Sequence, residues 1–222
     1  MGQLLSVNVG QPEPNPYKSS KSTGIGKRPV LGAVEVRAPG PKHGGLGSGL
    51  VGDFIGDRRN HGGDSQAVYA FQREDLDGWQ QRLGRELPNG WFGENLTTTG
   101  IEANEALVGE VWQVGPSVRL QVTAPRIPCS TFRGWMGERA WAKKFTAEAR
   151  PGTYLRVLVP GAVRAGDPVE VVQRPGHGVS VSLVFRATTT ERDLLPELLA
   201  AGDDLEPEIA ELARERRTIA LD

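Results

Sequence analysis

The sequence predicts a mainly β fold, an antiparallel barrel or sandwich, followed by a small all-α domain. Glycine occurs 29 times and proline 16 times in 222 residues without forming a repeat, as expected of many short strands joined by tight turns. Runs of β-branched or alternating residues recur at short intervals with little helix between them. After Gly178 the turn-rich pattern gives way to charged helical periodicity. A boundary near residue 177 follows, with a barrel domain over 1–177 and a helical domain over 178–222.

Each element has its own signal. Leu4, Leu5, Val7 and Val9 read as a first strand, which is preferred to a lipidation signal on Gly2. Further strands are expected over Val30–Arg37, Ala67–Phe71, Ala106–Val114, Val118–Ala124, Thr153–Pro160 and Val169–Gln173. Helices are expected over Arg73–Leu83, where Leu76, Trp79 and Leu83 share a face, and over Met136–Ala149. In the tail, Thr190 and Asp193 form a capping box and Gly202 ends that helix. A second helix starts behind Asp203 and Asp204, carries Leu205, Ile209, Leu212 and Ala213 at helical spacing, and closes on Arg214, Arg216 and Arg217.

Composition narrows the function classes. With 26 basic and 27 acidic residues the net charge is −1, which offers no electrostatic footprint for nucleic acid or an anionic membrane. A single cysteine excludes an internal disulfide and fits a reducing compartment. No apolar run approaches the roughly 18 residues of a membrane span, and a cytoplasmic location is expected.

That cysteine, Cys129, stands in the stiff, basic segment APRIPCSTF. Pro125 and Pro128 restrict the backbone, and Arg126 places a permanent positive charge three residues away. A nearby cation favours the thiolate, which is both nucleophile and metal ligand. Cys129 therefore reads as chosen for its sulfur rather than for packing. A zinc centre is a poor alternative, because one Cys and three scattered His lack the ligand spacing. The G-x-G-x-x-G of Gly47, Gly49 and Gly52 is no dinucleotide fingerprint, since no helix is expected to open there.

Three polar clusters sit among glycines. His61 is followed by Gly62 and Gly63, which would let backbone approach a ligand; Lys27 and Arg28 stand before a strand; Glu94, Asn95 and Thr97 follow Gly93. Basic side chains and loop amides of this kind suit a phosphate and a polar heterocycle.

Taken in order, TGIGKRPV, GLVGDFIGDRRNHGGDSQAVYAF, FGENLTTTGI, PRIPC and GTYLRVLVPGAVRAGDPVEV resemble the MOSC domain family, the C-terminal domain of molybdenum cofactor sulfurases. The likeness is greatest to the YiiM-like bacterial branch, which adds a small three-helix domain. It implies a MOSC-type β-barrel binding a molybdenum pyranopterin, with Cys129 as metal ligand and catalytic residue. It also implies Arg126, Lys27 and Arg28 on the pterin phosphate, Asn95 on the pterin or the metal pocket, and catalytic His61 as proton source. The segment from Val36 to Gly49 is longer and richer in glycine than the family pattern. The family-level association with pyridoxal phosphate is carried onto no residue of this chain.

The implied reaction is reduction of N-hydroxylated compounds such as hydroxylaminopurines, hydroxylamines or amidoximes to amines. Its implied partners are a small N-hydroxylated substrate and an external electron-donor reductase, because one cysteine cannot hold an iron–sulfur cluster. Neither nucleic acid nor membrane is an expected partner. A sulfur carrier acting through a persulfide, or a cofactor carrier, is the alternative. The apolar stripe of the last helix must pack on the barrel, on a second subunit in a homodimer, or on the donor.

Overall fold

In a computed structural model that describes residues 1–19 and 21–221, seven strands close into a barrel. The strands of the chain are β1 (Gly2–Val9), β2 (Glu13–Pro14), β3 (Ser22–Thr23), β4 (Arg28–Pro29), β5 (Val34–Val36), β6 (Val68–Gln72), β7 (Leu96–Thr99), β8 (Val111–Val114), β9 (Val118–Pro125), β10 (Thr153–Val159), β11 (Gly161–Val163) and β12 (Pro168–Gln173). Around the barrel the order is β12-β8-β9-β10-β6-β7-β1, and β1 pairs back onto β12 through Gly2↔Val169. Closure removes the exposed strand edges that an open sheet would have to protect. All neighbours are antiparallel except β6 and β7, which run parallel with Ala70 opposite Leu96.

The interior is filled as the alternation requires. Leu4, Val7, Val68, Trp112, Leu120 and Leu155 are buried in one apolar cluster inside the barrel. A second, aromatic cluster lies outside it. Phe71 of β6 and Trp79 of helix α1 (Arg73–Leu83) meet Phe92, Phe132, Trp141 and Phe145, with edge-to-face contacts such as Phe92 to Phe132 at 5.2 Å. This cluster is the platform on which the cysteine segment rests.

Several elements differ from expectation. The run Val30–Arg37 forms a strand only over Val34–Val36, and Ala106–Val114 only over Val111–Val114. Strands β7 and β11 were not expected. The helix expected over Met136–Ala149 is two helices, α2 (Ser130–Met136) and α3 (Trp141–Glu148), because Gly137 and Ala140 adopt left-handed conformations between them.

In the tail, α4 (Val181–Thr189) starts at Ser180, whose hydroxyl caps Leu183 N–H, so Thr190 closes a helix rather than opening one. A 3-10 segment over Arg192–Asp204 is interrupted at Gly202, and α5 (Pro207–Glu215) follows. Three helical segments thus stand where the residue pattern pointed to two. They also reach back: Val181 belongs to the barrel interior and Phe185 to the aromatic cluster. Division of the chain near residue 177 stands as our proposal for its domain organisation. Among the described residues no helix is long and apolar enough to cross a membrane.

Candidate functional site

A cavity of about 700 Å³, counting its open mouth, is lined by Lys27, Asp53, His61, Asn95, Arg126 and Cys129, among others. Five of the six candidate residues therefore share one space although Lys27 and Cys129 lie 102 positions apart. Arg28 is the exception. It is exposed and does not line the cavity, because neighbouring residues of an extended segment point to opposite sides. Of the expected Lys27–Arg28 pair, only Lys27 thus reaches the cavity.

Cys129 occupies the N-cap position of α2, held there by the burial of Phe132 in the aromatic platform. Burial alone would push its thiol up. A hydrogen bond from His61, the positive charge of Arg126 and the Phe132 N–H outweigh that effect and bring the thiol down to about 6. Arg126 is itself buried, at 7 % exposure. Its Nη1 donates to the Phe92 carbonyl, and its guanidinium carbon lies 4.0 Å from the centroid of Phe132 and 5.2 Å from that of Tyr69. No carboxylate among the described residues pairs with it; the charge bearing on it is that of the Cys129 thiolate. A buried guanidinium without a carboxylate is an anion-seeking group. Here the thiolate is its nearest answer.

The opposite wall is closed. Asp53, only 1 % exposed along its side chain, accepts from Lys27 Nζ and Gly10 N–H on Oδ1, and from Ser48 Oγ and Asn95 Nδ2 on Oδ2. Both Nδ2 donors of Asn95 are taken, the second by the Asn8 carbonyl at 3.3 Å, and its Oδ1 accepts the Tyr69 N–H at 3.1 Å. Asn95 is therefore a brace between β1, β6 and the loop before β7. Glu94 beside it accepts from Gly90 N–H, Phe92 N–H and Thr97 Oγ1, so it shapes the same loop. Asp53 is the residue that sequence reasoning missed, and its only local signal was a position within a glycine-rich loop.

The glycines after His61 serve the protein's own backbone. Gly62 and Gly63 have φ of 87° and 80°, and a Cβ on them would lie 2.8 Å from the Gly47 carbonyl oxygen and 2.7 Å from the Lys42 nitrogen. Both glycines thus pack against residues 42–47 of the long glycine-rich segment, and Gly62 also lines the cavity. At the mouth Lys18 pairs with Asp57 at 2.7 Å. Although burial alone would raise its pKa, hydrogen bonds from Lys18 and Asn60 hold the Asp57 carboxyl at about 2.

Comparison with known proteins decides the relationship. The MOSC domain profile matches residues 57–170, half of the chain, from the His61 loop to β12. The chain belongs to the MOSC family. The uncharacterized protein YflK of Bacillus subtilis is 34% identical over 184 residues, 82% of this chain and 79% of its own. A protein of Gibberella moniliformis named "Reductase" is 27% identical over 202 residues, 88% of this chain but 34% of its own. The crystal structure of YiiM from Geobacillus stearothermophilus superposes with a TM-score of 0.76 at 26% identity, over 97% of this chain and 99% of that one. The likeness therefore extends through the C-terminal helices. MOSC domains form a family that binds the molybdenum cofactor, which associates this chain with that chemistry.

Proposed function

We propose that the chain is a molybdenum-cofactor-dependent reductase of N-hydroxylated compounds, with Cys129 as the protein ligand to the metal. One observation carries the reading: a thiolate stabilised at neutral pH faces a buried guanidinium that no carboxylate among the described residues neutralises. A soft thiolate suits molybdenum held by dithiolene sulfurs, and an unneutralised buried cation suits an anionic cofactor. The residues present fit the group. Arg126 would hold its anionic portion, with Lys27 contributing the N–H donors that Asp53 leaves free, and Cys129 would bind the metal.

The bound cofactor would supply the two-electron redox step, and the chain's residues do the rest. In the overall reaction the N–O bond breaks, two electrons arrive from an external reductase, two protons are taken up, and amine and water leave. His61, hydrogen-bonded to Cys129, would stand at the reacting centre and pass protons inward from the mouth. The Asp53 wall keeps the floor rigid, so the reactive wall need not reorganise. The fungal relative named a reductase supports the oxidoreductase class.

The test is elemental analysis together with an amidoxime reduction assay on protein made in a cofactor-competent host. One molybdenum per chain and turnover with an artificial reductant are expected. Protein that carries neither metal nor pterin would overturn the reading.

A further inference from the structure

We propose that Tyr154 is a further catalytic residue, whose hydroxyl donates a hydrogen bond to the oxygen of the N–O bond in a substrate bound before Cys129. The inference rests on the reading of the site as an N-hydroxy reductase. Tyr154 lines the same cavity as Cys129, His61 and Arg126. Its ring packs on Tyr69 with centroids 5.2 Å apart. The two phenols differ in one respect. Tyr69 Oη donates to the Pro151 carbonyl at 2.7 Å, whereas the Tyr154 hydroxyl bonds to no described residue.

That free hydroxyl is held in place rather than loose. Tyr154 sits in β10 opposite Tyr69 of β6 on one side and Ala124 of β9 on the other, and its carbonyl accepts from Thr123 Oγ1 at 3.0 Å. Its backbone is therefore fixed by both neighbouring strands. The other donors that bear on the thiolate are committed: His61 and the Phe132 N–H to the sulfur itself, and Arg126 Nη1 to the Phe92 carbonyl. Burial raises the phenol's pKa above its ordinary range, Arg126 opposes this, and the nearby thiolate adds to it, so the group remains a proton-bearing donor at neutral pH.

The chemistry asks for such a donor. As the N–O bond of an amidoxime breaks and two electrons enter from the external reductase, negative charge gathers on the departing hydroxyl oxygen until one proton converts it to water and a second completes the amidine nitrogen. A donor fixed in the cavity wall and aimed at that oxygen stabilises the charge as it develops. The amine product lacks the oxygen and loses this contact, which favours release.

The test compares Tyr154→Phe with wild type by equilibrium binding of an arylamidoxime and the matching arylamidine to the oxidised, cofactor-loaded protein, where no turnover occurs. Tyr154→Phe should bind the amidoxime about fivefold to tenfold more weakly, the worth of one hydrogen bond, with the amidine unchanged and kcat reduced more than KM is raised. Equal losses for both ligands, or no loss for either, would overturn the role. A wild type that carries molybdenum yet does not reduce the amidoxime overturns the reductase reading itself, and the assignment of Tyr154 with it. Should Tyr154→Phe fail to fold, site-specific 3-fluorotyrosine at 154, a stronger donor of nearly equal size, must tighten the amidoxime alone.

Discussion

The two walls of the cavity use the same kinds of residue to opposite ends. On one side Cys129, Arg126, His61 and Tyr154 present a thiolate, a guanidinium with no carboxylate among the described residues, an imidazole bound to sulfur and a free phenol. On the other, Lys27, Asp53 and Asn95 consume one another's hydrogen bonds and charges. The first wall has capacity for a ligand, and the second has almost none to give. Polar residues in a cavity are thus not equivalent candidates for chemistry; what separates them is whether their partners are already protein.

The sharpest way to break this contrast is to remove the thiol. Cys129→Ala should lower reductase activity at least about a thousandfold and abolish molybdenum retention, while the thermal midpoint changes little, because the volume lost is small and α2 remains anchored by Phe132. A variant that keeps metal and turnover would place the reactive centre elsewhere.

Asp53→Asn should do the reverse. All four groups that reach Asp53 are donors, so on either flip an amide nitrogen faces an N–H, and Lys27 is left buried with an unpaired charge. Breaking a buried pair this way costs roughly 3–5 kcal/mol, read as a shift in the urea midpoint. Unchanged stability would show that the second wall is not closed.

The barrel was more legible than this division of labour. Strands with alternating apolar residues, such as residues 118–122 of β9, declare themselves because Val118, Leu120 and Val122 are buried and the residues between them are not. β7 did not, since Leu96-Thr97-Thr98-Thr99 carries one apolar residue and owes its place to pairing with β1 and β6. The split of Met136–Ala149 depended on Ala140 adopting a left-handed conformation, for which alanine gives no signal.

At the site, the local chemistry of PRIPC pointed to a lowered thiol because Arg126 is near in sequence as well as in space. Asp53 reaches Lys27 and Asn95 across 26 and 42 positions, a relation that no local pattern carries. For the same reason the bracing of Asn95, expected on the pterin or the metal pocket, by Asp53, Asn8 and Tyr69 carried no local signal.

A pH experiment sharpens the reactive wall. In cofactor-free protein the rate of Cys129 alkylation by iodoacetamide should rise with pH about a midpoint near 6, well below the ordinary thiol value of about 8.5. The folded-state pKa is depressed, so the thiolate's contribution to stability is full above the unfolded value and is lost as pH falls through about 6. His61→Ala removes one of the lowering contacts and should move the midpoint upward. It should also slow turnover about a hundredfold at unchanged molybdenum content. A midpoint that ignores His61 would remove that residue from the reactive wall.

The smallest effect discriminates between two adjacent cations. Lys27 and Arg28 are neighbours of the same charge, yet Lys27 is drawn onto Asp53 inside the cavity while Arg28 is exposed outside it. Arg28→Ala should change neither cofactor retention nor stability beyond about 0.5 kcal/mol, as for an ordinary surface substitution. Lys27→Ala leaves Asp53 buried with four acceptor sites and one cation fewer, so it should destabilise the fold and loosen the cofactor together. Measuring pterin retention and the urea midpoint on both variants separates the possibilities. If Arg28→Ala sheds cofactor as readily as Lys27→Ala, the basic pair acts as a unit at the mouth, and the boundary drawn between the two walls lies in the wrong place.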